Sequence, residues 1–564
     1  MNIKLTNQEK TIIGYLRSAK ETIPSLRNVD MRIAGGWVRD KLMGKDSDDI
    51  DIAISNISGH EIVNILKTHD RDGNLGNTFE VSLEKSLKSK EEENLNKLQV
   101  GGVDMWGQKV EFVPMRTERY EPGSRTPILD ITDDPQLDAM RRDLTINSLY
   151  YNIETGMIED YTGGVGDLKN MILKTPDDAK KTFSEDPLRV LRALRFFSKY
   201  PESKMDQSII DAIRDPEIQK AYTQKVAPER AGTEIMKLMT GHKPDEAIRI
   251  LFESGMHRNV FGADVFDKLN PLDMDQQTPH HKHNLMNHTL LTMKNINNIC
   301  REEEMSDKER ALMTMSAMFH DIGKLDPNIV AEHSHNPGQM TYYGHEKASA
   351  DIVDIVLKRL GIGSDRNFVS TIVKYHMRPH KQMPTPKAIG KFIRDTNLME
   401  GSEAKPLWKY VMLHSMADTM SKGDFDFEED LDVKRDLTGR IEQFIRDQKE
   451  KGMTAESKKP ILNGKDIISA IPEVSPKSGF INTVNQMLLE AQDEGSVYDE
   501  NSAMLFLESI KNKIIEEFGD KREARNWFGR LKIAEKKKHD ITHENNIDTK
   551  SRRRISKQNM RSIF

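Results

Sequence analysis

The stretch Gly35-Gly36-Trp37-Val38-Arg39-Asp40, followed closely by Asp49-Ile50-Asp51-Ile52-Ala53-Ile54, constrains the fold more than any other. Two glycines permit a tight turn and close backbone approach to a ligand. The next residues are amphipathic, and the strict alternation from Asp49 marks a strand with one apolar face. The pattern predicts turn, short helix, strand. Residues two apart on a strand point the same way, so Asp49 and Asp51 offer two carboxylates together while Ile50, Ile52 and Ile54 enter a core. Paired hard oxygens suit Mg²⁺, which takes carboxylates plus phosphate oxygens, and Gly35-Gly36 can present backbone N–H groups to phosphates. Two such ions would activate a hydroxyl and neutralise a leaving pyrophosphate. Glu111, on a second strand expected at Lys109 to Pro114, could add a third ligand.

Beyond this head the patterning changes. Glu84 to Lys97 is charged, lacks β-branched residues and reads as a surface insertion. Residues 146–160 read as a strand pair turning at Thr155-Gly156, and from about 180 to about 535 the periodicity is helical. A chain of 564 residues should hold three or four domains. The single cysteine, Cys300, excludes a disulfide framework and a Cys-rich zinc site, so any tightly held metal needs His and carboxylate, and the 17 histidines can supply them. The N-terminus has no apolar h-region, and no stretch approaches the roughly 18 apolar residues of a membrane span. A cytoplasmic protein without membrane partners is expected. The net charge of −6 is uneven: residues 521–564 carry 14 Lys/Arg against 5 Asp/Glu, hence +9 there and −15 elsewhere. That tail is either an arm for RNA phosphates or a solvated disordered end.

The string GGWVRDKLMGKDSDDIDIAI resembles the signature of DNA polymerase β-like nucleotidyltransferases, in particular class II CCA-adding enzymes and bacterial poly(A) polymerases. Glu111-Phe112-Val113-Pro114-Met115-Arg116, Tyr120 and Ser124-Arg125-Thr126-Pro127 are similar to the family's next strand and loop. Asp138 to Asn147 resembles its Arg-Arg-Asp-Phe-Thr-Ile-Asn-Ala motif, with Leu144 for Phe and Ser148 for Ala. The resemblance implies catalytic, Mg²⁺-binding Asp49 and Asp51, and a nucleotide site including Gly35, Gly36, Arg39, Arg125, Asp138, Arg141, Arg142, Asp143 and Asn147. Arg141 and Arg142 are apt triphosphate clamps, because a guanidinium fork matches phosphate oxygens.

Ser184 to Phe197 reads as a helix capped by Ser184, with Pro187 near its start, a Val190-Leu194-Phe197 core stripe, and Asp186 and Arg189 as surface neighbours. Those charges alone are ordinary helix-end electrostatics. In the family this motif holds the incoming base, which implies base recognition by Asp186 and Arg189, with Arg192 beside them. Cytosine and adenine both present an amino donor next to a ring-nitrogen acceptor, whereas uracil and guanine present a carbonyl next to an N–H. An Asp acceptor beside an Arg donor suits only the first pair. Ala227-Pro228-Glu229-Arg230 to Glu234 resembles the motif that braces this helix.

Further on, His288, His320-Asp321, His345, His376 and Asp418 come from separate helical segments and resemble the HD superfamily of metal-dependent phosphohydrolases. The resemblance implies that His288, His320, Asp321 and Asp418 bind one ion, and that His345 and His376 bind a second or the substrate phosphate. A water of lowered pKa would attack phosphorus, with Lys324 balancing phosphate charge. Mn²⁺, Ni²⁺, Co²⁺, Fe²⁺ and Mg²⁺ all remain open. Pro460 to Ile467 resembles the start of the family's small helical tail.

The fold expected is an α/β, mixed-sheet, DNA polymerase β-like head followed by an all-α body containing an HD domain. The divisions expected are a head at 1–165, a helical nucleotide- and RNA-binding neck at 166–268, the HD domain at 269–430, a helical tail at 431–535, and a basic, disordered end at 536–564. The expected function is untemplated addition of CMP, CMP and AMP to tRNA from CTP and ATP, coupled to a phosphatase, 2′-nucleotidase or 2′,3′-cyclic phosphodiesterase. Poly(A) polymerase and A- or CC-adding enzyme share every head motif and stand as alternatives. An HD nucleotide hydrolase with a binding-only head is the alternative of another class.

Overall fold

The first helix, α1 (Asn7–Thr22), starts where a capping box would start it: Thr6 Oγ1 accepts from the Glu9 amide, and Glu9 returns its carboxylate to the Thr6 amide. Its apolar side, Ile12, Ile13, Leu16 and Ala19, is buried. The computed structural model describes all residues except 1–2, 48, 82–98, 120–127, 279–281, 381–382, 384, 397–405, 424–427, 451–458, 477–478 and 519–564. The Glu84 to Lys97 insertion, Tyr120, Ser124 to Pro127 with Arg125, and the basic end lie outside the described residues.

After α1 come β1 (Met31–Ala34), α2 (Gly36–Leu42), β2 (Asp49–Ile54), α3 (Gly59–His69), β3 (Leu75–Val81), β4 (Val100–Met105) and β5 (Gln108–Pro114). Then follow β6 (Arg116–Arg119), β7 (Ile128–Ile131), α4 (Pro135–Met140), β8 (Leu149–Asn152) and β9 (Ile158–Asp160). The main sheet has the order β3-β4-β5-β2-β1-β8-β9, parallel only between β2 and β5. This is the expected mixed sheet. The turn between β8 and β9 passes through Gly156 at φ +70°, as its Thr-Gly pair implies. Helix α3 lies almost on the strands. A Cβ at Gly59 would come within 2.1 Å of the Phe112 carbonyl oxygen, so no larger residue fits there.

From α5 (Gly164–Asn170), α6 (Ala179–Glu185) and α7 (Leu188–Lys199) onward the described residues are mainly helical, and their strands are two-residue pairs at 172–173 with 204–205 and 331–332 with 340–341. One expectation needs correction. Ser184 does not cap the helix; it lies in α6 and donates to the Lys180 carbonyl. Pro187 has no N–H to continue α6, so the chain breaks there, and the Asp186 carboxylate receives the Leu188 amide that opens α7. The core stripe holds: Val190, Leu194 and Phe197 are buried.

Contacts divide the chain into two compact units: Met1–Met377 with Tyr410–Leu431, and Arg378–Lys409 with Asp432–Phe564. The first holds the sheet and the helices Pro228–Met239, Leu285–Glu302, Asp307–Phe319, His345–Arg359 and Arg366–Tyr375. In the second, Leu462, Ile467, Phe480, Val484, Leu488 and Leu507 share one apolar core. There Asn463 caps the helix Gly464–Ala470 in a capping box with Asp466. Among the described residues no helix is long and apolar enough to cross a membrane.

Candidate active sites

In the parallel pair of β2 and β5, Asp51 lies opposite Glu111 and Asp49 opposite Lys109. Ile50 and Ile52 are buried beneath them, so the carboxylates emerge on the other face. Burial, and then Asp49, push the Asp51 carboxyl above the usual carboxylate range, against the pull of Arg142. Glu111 is raised as well, by burial and then by Asp51 and Asp49. Acidic groups that raise one another form a place where a cation is favoured. Acceptor-only oxygens held side by side fit Mg²⁺.

They face a cavity of about 500 Å³ lined by Gly35, Gly36, Arg39, Asp51, Glu111, Asp138, Arg141, Arg142, Asp143, Asn147, Asp186, Arg189 and Arg192. Every described candidate for the transferase except Asp49 lines this one space. Gly35 has φ +68°, and a Cβ there would sit 3.1 Å from Arg142 Nη1, so the turn demands glycine twice over. Behind it Asp138, 1 % exposed, receives Arg141 Nη2 at 2.5 Å, Arg142 Nη2 at 3.0 Å, Tyr150 Oη at 2.6 Å and the Arg116 amide at 3.2 Å. Burial works against its charge, yet the two guanidinium groups hold its carboxyl well below the usual range. Asp138 is thus a bracket for the arginines. Arg141 is committed on all sides, to Asp138, Glu118 Oε1 at 2.9 Å and the Arg116 carbonyl at 2.8 Å. Arg142 keeps its Nη1 nearer the cavity, with only a 3.4 Å contact to the Asn147 carbonyl.

A second chain of bonds ties the sheet to the helical neck. Arg39 Nη1 donates to Asn147 Oδ1 at 2.6 Å, Asn147 Nδ2 to Asp143 Oδ1 at 3.0 Å, and Arg192 Nε to Asp143 Oδ2 at 2.9 Å. Asp186 and Arg189 both border the cavity, but they are not an ion pair. Arg189 is held by Glu118 Oε2 and Glu185 Oε2, each at 3.3 Å, and Asp186 has Arg230 at 3.8 Å. The helix break at Pro187 separates the two side chains and leaves each one's polar edge to other partners. Arg195 meets Glu234 at 3.2 Å, so the helix Pro228–Met239 braces α6 and α7 at two points. Sequence reasoning missed Glu118, Phe196 and Arg230 in this lining. Glu118 carried a readable signal, as a lone carboxylate on a short strand between arginines.

The second site lies deeper in the same unit. His288, His320, Asp321, His345, His376 and Asp418 are all buried. Each imidazole places Nδ1 on a main-chain carbonyl: His288 on Ser421 at 2.9 Å, His320 on Ala317 at 2.8 Å, His345 on Tyr342 at 2.7 Å and His376 on Val373 at 2.6 Å. A carbonyl only accepts, so Nδ1 carries the proton and Nε2 presents a lone pair inward. His288 Nε2 lies 3.2 Å from His320 Nε2 and 3.1 Å from Asp418 Oδ1; His345 Nε2 lies 3.1 Å from Asp321 Oδ1. Lone pairs aimed at one another and at carboxylates repel unless a cation stands between them. The buried Nε2 atoms of His345 and His376 have no hydrogen-bond partner. Two groups have donor atoms within 4.8 Å of one another, His288-His320-Asp321 and Asp321-His345-His376, and Asp321 belongs to both. These residues fit a divalent metal or a pair of them. Burial opposes ionisation of Asp321, but the Lys324 ammonium beside it helps hold its carboxyl well below the usual range. Lys324 lies 2.7 Å from Asp321 and donates to Gln276 Oε1 at 2.9 Å, so its charge first serves that carboxylate. His414, fully buried with its ring centroid 5.3 Å from that of His320, was not foreseen. Its signal was the i, i+4 spacing to Asp418 on the helix Leu407–Thr419.

Residues 31–174 match the poly A polymerase head domain, 205–263 the probable RNA and SrmB-binding site of polymerase A, and 285–420 the HD domain. The tRNA nucleotidyltransferase cca2 of Schizosaccharomyces pombe is 34 % identical over 266 residues, covering 46 % of this chain and 54 % of that protein. The mitochondrial CCA tRNA nucleotidyltransferase of Saccharomyces cerevisiae is 34 % identical over 270 residues, covering 46 % and 48 %. The chain thus spans about half the length of these curated relatives. In fold it is similar to the Bacillus stearothermophilus CCA-adding enzyme crystallised with CTP, with TM-score 0.54, 16 % identity, and coverage of 91 % of this chain and 100 % of that one.

Proposed function

Because the chain belongs to the class II nucleotidyltransferases, those with a poly A polymerase head, here followed by an HD domain, we propose that it is a CCA-adding tRNA nucleotidyltransferase with a separate HD phosphohydrolase centre. One observation carries the transferase reading. A single cavity has the Asp51-Glu111 pair at one side, Arg142 behind the Gly35-Gly36 turn, and Asp186 and Arg189 at the neck. On this reading Asp49, Asp51 and Glu111 hold Mg²⁺, which supplies charge neutralisation for the attacking hydroxyl and the leaving pyrophosphate. Arg142, with Gly35 and Gly36, seats the triphosphate. Asp143, Asn147, Arg39 and Arg192 fix the angle between sheet and neck. Asp186 accepts from the base's amino group and Arg189 donates to its ring nitrogen; UTP or GTP would leave both partners mismatched. Asp138 and Arg141 orient Arg142, and Arg125 lies in a segment outside the described residues.

This reading divides the chain into a head at 1–165, a neck at 166–268, an HD domain at 269–430, a tail at 431–535 and a basic end at 536–564. Its partners are tRNA, CTP and ATP, and its place of action the cytoplasm, although the Saccharomyces cerevisiae relative is mitochondrial. The HD reading rests on the inward Nε2 lone pairs around Asp321. A metal held there supplies a water of lowered pKa for phosphate esters, with Lys324 as the cation beside it. Supplying purified protein with tRNA lacking CCA and each of the four nucleoside triphosphates tests the transferase reading. C should be incorporated on that RNA, A only once two C residues are in place, and U or G at neither stage; equal use of all four would refute it.

A further inference from the structure

Helix α1 precedes the matched head domain, which begins at residue 31. Nevertheless it grips the head's catalytic segment. Glu9 is 4 % exposed and completely engaged: Oε2 accepts from the Thr6 amide at 2.7 Å and lies 2.9 Å from Lys41 Nζ, and Oε1 accepts from Trp37 Nε1 at 2.8 Å. Lys41, itself buried, reaches on to Asp46 Oδ1 at 2.5 Å. Trp37 and Lys41 are two of the buried residues of α2, which starts at the Gly35-Gly36 turn. Asp46 stands in the connection that delivers Asp49 and Asp51. The same helix touches the turn before Glu111, through Gln8 Nε2 to the Trp106 carbonyl at 2.6 Å and the edge of Tyr15 on Trp106 at 5.5 Å.

We propose that Glu9 is a positioning residue of the transferase: through Trp37 and Lys41-Asp46 it sets where the Gly-Gly turn and the Asp49/Asp51 pair stand relative to each other. The buried carboxylate is what makes the setting sharp. It is locked by its own capping box, and it compensates a buried ammonium whose other carboxylate partner among the described residues is the exposed Asp46. A glutamine would still accept from Trp37 Nε1 but would leave Lys41 undercompensated, freeing α2 to shift. This rests on the nucleotidyltransferase reading, so its test includes a measurement independent of transfer.

Glu9→Gln should weaken calorimetric binding of CTP with Mn²⁺ about 3- to 10-fold and raise the Mg²⁺ needed for half-maximal CMP addition by a similar factor, with KM for tRNA unchanged. Asp46→Asn, an exposed change that cannot unfold a core, should move both quantities the same way by less. Arg17→Ala serves as control. Its side chain holds the Ile153 carbonyl from the far end of α1, so it should lower the melting temperature without altering the Mg²⁺ requirement. Folded Glu9→Gln and Asp46→Asn proteins with wild-type CTP–Mn²⁺ affinity overturn the proposal, as does an Arg17→Ala protein whose Mg²⁺ requirement shifts equally. A wild-type protein that binds CTP with Mn²⁺ but adds nothing to tRNA overturns the transferase reading instead, while the binding shift still tests Glu9.

Discussion

The two sites of this chain hold acidic groups in opposite ways. Around Asp321 the ligands are buried, each imidazole is pinned through Nδ1, and the donor atoms stand within 4.8 Å of one another. In the head, among the described residues, Asp49, Asp51 and Glu111 form no group so tight; Asp51 and Glu111 line a cavity, and both are raised above the usual carboxylate range, by burial and then by neighbouring carboxylates. A buried, tautomer-fixed cage fits a resident ion. Paired carboxylates at the edge of a cavity with arginines opposite are half a site, completed when a triphosphate brings its own oxygens and metal. On the proposed reading the contrast is one of timing: one metal would belong to the folded protein and the other would arrive with the substrate.

Removing one carboxylate from each site gives the largest expected effects and would break the comparison if they spread. Asp51→Ala should lower nucleotide addition by about a thousandfold or more, since losing several kcal/mol of charge stabilisation costs a factor of ten per ~1.4 kcal/mol. Its HD-site metal content should not change. Asp321→Ala should lose most of the HD metal, measured by elemental analysis, and melt lower, because unpaired buried groups cost on the order of 1–3 kcal/mol each. It should retain most addition to intact tRNA. Chelation should lower the wild-type melting temperature but not that of Asp321→Ala. If Asp321→Ala also abolishes addition, the two sites are not independent.

An intermediate effect is expected at the neck. Asp186→Ala and Arg189→Ala should narrow the preference for CTP and ATP over UTP and GTP by about 10- to 100-fold, as a lost polar contact of ~1–3 kcal/mol implies. Comparing kcat/KM for the four nucleotides checks this. Unchanged ratios would place base reading elsewhere.

The smallest effect sharpens the contrast in timing. Folding raises Asp51 and Glu111 above their unfolded values, so the metal-free protein binds more protons than the unfolded chain. Their contribution to stability is therefore greatest at acid pH and declines as pH rises from the unfolded through the raised folded pKa values. Asp51→Asn should remove part of that decline, slightly raising the melting temperature at neutral pH in the absence of metal. Melting curves across pH with and without Mg²⁺ measure it; an asparagine protein less stable than wild type at every pH would contradict the pKa account.

How much of this was legible in the sequence depended on range. The carboxylate pair and its Gly-Gly turn were readable because strand alternation is local, whereas the HD residues were picked out by a family resemblance and not by periodicity. Asp186 and Arg189 were readable as residues but not as geometry. A local helix rule paired them, whereas Pro187 breaks the helix and Glu118, some seventy residues earlier, takes Arg189. Likewise Asp138 and Arg141 bracket Arg142, a division of labour set by burial behind the sheet and invisible in a motif. Three of the four imidazoles are pinned by the carbonyl three residues earlier, and only His288 relies on a distant one, Ser421; which ring nitrogen each carbonyl takes leaves no trace in residue identity.

The central claim is that the head adds C, C and A without a template. Its most direct test is to size, nucleotide by nucleotide, the products formed by the purified protein on a tRNA that ends just before the CCA sequence. CTP alone should extend the RNA by two residues, ATP alone should leave it unextended, and both together should stop at three. A lengthening run of A from ATP alone, or a halt at two residues with both nucleotides present, would contradict the account.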